Sequence, residues 1–123
     1  TIKTNTFVVG FKVGGPSVVI ARGIAQKMSQ GLGKAIVIDN KPGTGGNLAT
    51  ESVAHSLSDG YTWLLGNNSI LVTSAALYKI KFYSINDFAL IVLIGTQPNI
   101  LVVNNDLFKM WQIDFGYTKT YKY

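Results

Sequence analysis

The feature that most constrains the fold is an alternation. Residues 6–11, 35–38 and 61–66 are short apolar runs of strand length, and the stretches between them carry helical spacing. The first helix is expected over 16–31. Pro16 suits a first helical position, where no amide donor is needed, and Val19 or Ile20, Ile24 and Met28 recur on one face. Gly31 and Gly33 stop it. A second helix is expected over 48–57, with Leu48, Ser52, Val53 and Leu57 near one face, and a short third helix over 69–78. Residues 88–94 and 99–103 read as two further strands, divided by Gly95, Thr96, Gln97 and Pro98. Strand, helix, strand, helix, strand predicts an α/β fold, a three-layer sandwich with a mostly parallel sheet and right-handed crossovers. Ligands of such sheets bind beyond the carboxyl ends of the strands. Three loops fall at that edge, 10–17, 40–47 and 66–69, all rich in Gly, Asn, Ser and Thr.

Composition narrows the function. The 123 residues are of single-domain size. Hydrophobic residues make up 47% and charged residues 14%, which excludes a charge-rich disordered chain. With no cysteine there is no disulfide, thiolate metal site or cysteine nucleophile. The longest apolar run, 88–94, is far short of the ~18 residues of a membrane-spanning helix. The segment at Thr1 has no leader-like apolar stretch, so a leader is expected to have been removed already if the chain is exported. The net charge of +5 favours anionic partners. The lysines are scattered, however, and Arg22 is the single arginine, which is poor equipment for reading bases. The expectation is no nucleic acid partner, with a small anion compatible.

The first loop, from Gly10 to Ser17, joins a strand to a helix start, where outward N–H groups and the helix dipole welcome a carboxylate or phosphate. Ser17 adds a hydroxyl donor. The competing reading is a plain connection with glycines for tight geometry. A dinucleotide site would use Asp39 as its ribose acid, but glycines at 10, 14 and 15 do not give the required spacing. The glycines of 43–46 are not followed by the Gly-Lys-Ser/Thr of a phosphate loop. His55 is the single histidine, no Gly-x-Ser-x-Gly occurs, and the carboxylates at 39, 51, 59, 87, 106 and 114 show no metal-ligand spacing. No catalytic residue, metal or cofactor is therefore expected. Trp63 reads as core and Phe11 as either core or ligand platform. The Tyr/Lys-rich ending reads as a frayed terminus or as a strand that pairs with something.

The ordered series of loops strongly resembles the solute receptors of tripartite tricarboxylate transporters, the Bug family. The stretches that carry the resemblance are 8–22, 39–47 (Asp39-Asn40-Lys41-Pro42-Gly43-Thr44-Gly45-Gly46-Asn47), 58–66, 75–78, 86–88 and 98–104. It covers about residues 5–107. The resemblance implies lobe 1 of a type 2 periplasmic binding protein, a non-enzyme that closes on a small carboxylate and presents it to transporter membrane subunits. It implies ligand contacts at Phe11, Gly14, Gly15 and Ser17 in the first loop, and at Asn67, Asn68 and Ser69 in the loop after the third strand. Lys12, Gly46, Asn47, Thr96 and Gln97 are secondary candidates.

Three departures stand out. The first loop carries Gly10, Lys12 and Val13 where the family is proline-rich, which raises the unfolded chain's entropy. Val18 stands where the family usually has an aspartate. The resemblance also fades after Lys109, so residues 1–105 are expected as an α/β lobe and 106–123 as a divergent tail. A single lobe offers half the contacts of a two-lobed clamp, which implies weak binding. Unpaired sheet edges, or the tail, favour self-association into a homo-oligomer. An interaction or structural protein that has lost its ligand is the alternative reading, with a nucleotide-binding domain behind it.

Overall fold

The structure, a computed structural model, describes residues 3–77, 85–98, 100, 102 and 104. The chain divides into two units, residues 1–90 and 91–123. All regular elements among the described residues belong to the first.

Strand β1 (Asn5–Val9) lies at the centre of a three-stranded parallel sheet of order β2-β1-β3, with β2 spanning Ile36–Asn40 and β3 Thr62–Leu65. Its register sets Phe7 beside Ile38 and Trp63, and Val9 beside Asn40 and Leu65. Side chains alternate across a strand, so Phe7 and Val9 share one face and Val8 the other. A central strand covered on both faces is apolar throughout, and Phe7, Val8 and Val9 are all buried. Burying each contributes about 1.5–3 kcal/mol. The Trp63 ring meets Phe7 edge-on, centroids 6.4 Å apart at 75°.

Helix α1 (Pro16–Leu32) covers the Phe7/Val9 face. Pro16 opens it, as expected, and Gly33 closes it in the left-handed conformation at φ 63°. Gly31 lies within the helix and does not end it. The buried face differs from the expected one. Val18, Ala21 and Ala25 are buried with Ile24 partly so, whereas Val19, Ile20 and Met28 are exposed. The two alanines let the helix sit close to β1, and that closeness turns the bulkier residues outward.

On the opposite face, α2 (Asn47–Ala54) packs against β3 and β1. It buries Ala49 and Thr50 and stops three residues before the expected end. The Ser56 hydroxyl and amide both donate to the Val53 carbonyl, at 2.7 and 3.0 Å, which closes the last turn and leaves Leu57 exposed. Leu48, expected on the packed face, is also exposed. After β3 a π-helical turn (Ser69–Thr73) runs into α3 (Ser74–Leu77), which matches the short third helix. Tyr78, its expected end, lies outside the described residues.

The expected strand over 88–94 is not formed. A 3-10 turn (Ile85–Asp87) precedes it, and the apolar residues that follow are exposed, Leu90 at 76% and Ile91 at 77%. A strand exists only when a neighbour takes up its backbone N–H and C=O groups, and none does so among the described residues. Of the expected strand 99–103, Ile100 and Val102 are likewise exposed and unpaired in any ladder, and the other members lie outside the described residues, as does the expected tail, 106–123.

Among the described glycines, those with the closest surroundings lie where the strands end. A methyl group on Gly10 would come within 2.8 Å of the Gly46 Cα, and one on Gly46 within 2.5 and 2.8 Å of Ile70 side-chain carbons. Gly46 also sits at φ +97°. Gly46→Ala is therefore expected to destabilise the fold by about 2–4 kcal/mol through overpacking and left-handed strain. Gly23→Ala, in open space within α1, is expected to stabilise it by about 0.5–1 kcal/mol. Urea unfolding midpoints check both, and equal midpoints for the two variants would contradict the packing described.

A loop-built edge at the carboxyl ends of the sheet

All three strands run parallel, so the loops that follow them emerge at one edge. Residues 10–15 lead from β1 into α1, 41–46 from β2 into α2, and 66–68 from β3 into the π-helical turn. The Gly10–Gly46–Ile70 contacts bring the three together. The glycine-rich loop is wound tightly: Gly43, Thr44, Gly45 and Gly46 all have positive φ, and the Gly46 N–H donates to the Gly43 carbonyl at 2.9 Å. The Thr50 hydroxyl donates to the Gly46 carbonyl at 2.9 Å, anchoring the loop to the first turns of α2.

In the first loop, the Phe11 ring is half-buried and packs against the core cluster. Of the two roles open to it, the structure gives the side chain the core role. The Gly15 N–H donates to the Lys12 carbonyl at 3.2 Å and closes a turn in which Gly14 takes φ 92°. Gly15 is the N-cap of α1, and no side chain caps that end. Ser17, half-buried, lies in the first turn. Pro16 has no N–H, and the Val18 and Val19 N–H groups donate to the Gly15 carbonyl at 3.0 and 3.2 Å. Among the described residues the Ser17 N–H is thus the first-turn donor left without a protein acceptor, at the positive end of the helix dipole that suits an anion. Val18, the position of the expected family aspartate, is 1% exposed within the core cluster. It contributes packing to that cluster.

After β3, Asn67 is committed to the fold. Its Oδ1 accepts from the Ile70 N–H at 2.9 Å and its carbonyl from the Leu71 N–H at 3.0 Å, which shapes the π-helical turn. Asn68 and Ser69 are exposed at its start. Gly46 is buried beneath the loops and Asn47 opens α2, half-buried. Thr96 and Gln97 are exposed and belong to the unit 91–123.

Two residues at the end of β2 organise the edge and had not been singled out from sequence. Asn40 Nδ2 donates to the Phe11 carbonyl at 3.1 Å. Lys41 Nζ donates to Ser52 Oγ of α2 at 2.6 Å and lies 3.4 Å from Asp39 Oδ2. Polar residues ending an apolar strand were the available signal. Among the described residues no cluster of three or more potential metal ligands occurs.

The family is settled by comparison with known proteins. Residues 20–113 match the model of the tripartite tricarboxylate transporter family receptor. The chain belongs to that receptor family. A curated relative, the UPF0065 protein in the tcbD-tcbE intergenic region of Pseudomonas sp. strain P51, is 39% identical over 101 residues, covering 82% of this chain and 30% of the relative. MatC from Rhodopseudomonas palustris, solved with bound malate, is 40% identical with a TM-score of 0.61, over 66% of this chain and 28% of MatC. A second R. palustris protein, solved with adipate, is 41% identical with a TM-score of 0.53, over 54% of this chain and 22% of that one. This receptor-family chain thus spans about 30% of the length of the curated relative. The family is one of solute receptors, not enzymes, as the sequence implied. The family match begins at Ile20, within α1, and so leaves β1 and the first loop outside it.

The opposite, amino-terminal pole of the sheet is different in kind. A shallow cavity of about 290 Å³ lies there, lined by Asn5, Leu32, Lys34, Gly60, Tyr61 and Trp63. Several polar groups at this pole are bonded within the fold. The Trp63 indole N–H donates to the Gly60 carbonyl at 2.9 Å, and Lys3 lies 5.5 Å from the Tyr61 ring centroid. Lys3 Nζ donates to Asp59 Oδ2 at 2.6 Å and the Tyr61 N–H to Oδ1 at 3.1 Å. The Lys3 bond, then the Tyr61 bond, hold the Asp59 carboxyl below its ordinary range, and Asp59 raises Lys3 in return. The lowered Asp59 adds stability above its unfolded pKa of ~3.9, lost as pH falls through the folded value. The raised Lys3 adds it below ~10.4, lost as pH rises through its folded value. Lys3→Ala is expected to move the Asp59 carboxyl titration to higher pH, followed by carboxyl carbon NMR; an unmoved midpoint would contradict the pairing.

Proposed function

We propose that this chain is a carboxylate-binding lobe of a periplasmic solute receptor that serves a tripartite tricarboxylate transporter. The observation that carries the reading is the convergence of three glycine- and asparagine-rich loops on one parallel-strand edge, beside a helix start that no side chain caps. An edge of this kind supplies backbone donors, which suit a carboxylate without demanding a buried counter-charge. Malate and adipate in the two R. palustris relatives support small dicarboxylates as the ligand class. The residues assigned to contact are Phe11 through its backbone, Gly14, Gly15 and Ser17, with Asn68 and Ser69 facing them from the loop after β3. Asn67 acts by shaping that loop. Lys12 and Asn47 are secondary assignments, while Gly46, buried with its N–H and carbonyl both bonded within the fold, is assigned to packing. The membrane subunits of the transporter are the macromolecular partners on this reading.

One observation favours a second reading, self-association. Leu90, Ile91, Val92 and Leu93 are 75–77% exposed. In the described sheet β2 and β3 each pair only with β1. Contiguous apolar surface and open strand edges are the usual substrates of pairing between chains. On this reading residues 1–105 act as the lobe and the tail beyond them as a pairing strand.

Calorimetry against malate, adipate, citrate and succinate tests the first reading. Saturable heat is expected, with Kd of about 1 mM, or ~4 kcal/mol, the strength of a few backbone hydrogen bonds to an anion at an open edge. No heat at tens of millimolar of any of the four would remove the carboxylate assignment. Light scattering at matched concentration tests the second: a dimer or larger species is expected, and a strict monomer would retire it.

A further inference from the structure

The loop after β1 is held in place by β2, and the hold has a consequence for which atoms face a ligand. The backbone N–H of Lys41 donates to the Val9 carbonyl at 2.9 Å, so the end of β2 stays in register with the end of β1, with Asn40 beside Val9. From that fixed position Asn40 Nδ2 donates to the Phe11 carbonyl at 3.1 Å, a part-buried bond between residues 29 apart in sequence. The Phe11–Lys12 peptide is trans and planar, so its carbonyl and its N–H point in opposite directions. Drawing the Phe11 carbonyl toward β2 turns the Lys12 N–H away from β2. The sheet order is β2-β1-β3, so that direction is the one in which the loop after β3 lies.

The rest of the loop reinforces the orientation. The Phe11 ring is packed against the core, which fixes one side of the peptide. The Lys12 carbonyl accepts from the Gly15 N–H, which fixes the next peptide. Among the described residues the Lys12 N–H donates to no protein acceptor. It is a donor whose direction is set by its neighbours.

We propose that Asn40 is a positioning residue of the ligand site: by holding the Phe11 carbonyl it aims the Lys12 N–H at the ligand carboxylate between the first loop and the loop after β3. The proposal rests on the carboxylate-receptor reading above. It assigns Asn40 a part in binding although its side chain touches only the protein. The role needs a side-chain donor. Aspartate has the same shape but, ionised, repels the Phe11 carbonyl and releases the peptide to turn over.

Two variants of the full chain, Asn40→Ala and Asn40→Asp, test it with two readouts. In ligand-free NMR spectra the Phe11 carbonyl carbon and the Lys12 amide nitrogen are expected to shift in both variants, while Ala21, Ala25 and Ala49 stay in place. In titrations with malate, both variants are expected to bind about tenfold more weakly than the unsubstituted chain, the effect of losing one hydrogen bond to a charged group. The Lys12 amide should also lose the malate-induced shift seen in the unsubstituted chain. Unmoved Phe11 and Lys12 resonances, or unchanged malate affinity in both variants, would overturn the positioning role. Failure of the unsubstituted chain to bind malate or adipate is a different result. It overturns the carboxylate reading, and the ligand-directed role of Asn40 with it.

Discussion

The close approach of Gly10, Gly46 and Ile70 is the contact on which the rest of the structure depends. It is a backbone-to-backbone and backbone-to-side-chain packing that only glycine permits at two of its three members. It ties the end of the central strand to the loop after β2 and to the turn after β3. Without it the three loops would still emerge from one edge of a parallel sheet, but with no fixed separation. With it, the N-terminal ends of α1 and α2 and the turn after β3 are held as one surface. Asn40 and Lys41 complete the arrangement from the side. One reaches over the α1 face to the first loop and the other over the α2 face to Ser52.

The two ends of the sheet divide the work. At the amino-terminal pole, polar groups pair within the fold: the Lys3 ammonium with the Asp59 carboxylate, the Tyr61 backbone N–H with the same carboxylate, and the Trp63 indole N–H with the Gly60 carbonyl. Those bonds close the fold at that pole. At the carboxyl pole the loops are short of side chains and rich in backbone, and the α1 start has no side-chain cap. Backbone N–H groups on a packed scaffold bind an anion with little reorganisation, which is why the solute assignment falls here even though a cavity is found at the other pole.

Much of this was legible in the residues. Pro16 and Gly33 mark the ends of α1 by backbone geometry alone, and alternation of strand and helix gave the parallel sheet. The loop series 10–17, 40–47 and 66–69 located the edge. What failed did so for tertiary reasons. The face of α1 was assigned by size, to Val19, Ile20 and Met28, but proximity to β1 selects Ala21 and Ala25. Residues 88–94 have the composition of a strand, yet composition does not supply the neighbour a ladder needs. Asn40 was in view only as part of a motif. Its partner lies 29 residues earlier, and no local pattern names such a partner.

The central claim is that the negatively charged solute sits at the carboxyl ends of the strands. Amide shift mapping of the chain during a malate titration tests it most directly. The account predicts perturbations concentrated in residues 11–17 and 67–69. Perturbations centred instead on Asn5, Leu32, Lys34, Tyr61 and Trp63 would place the ligand at the opposite pole and contradict it.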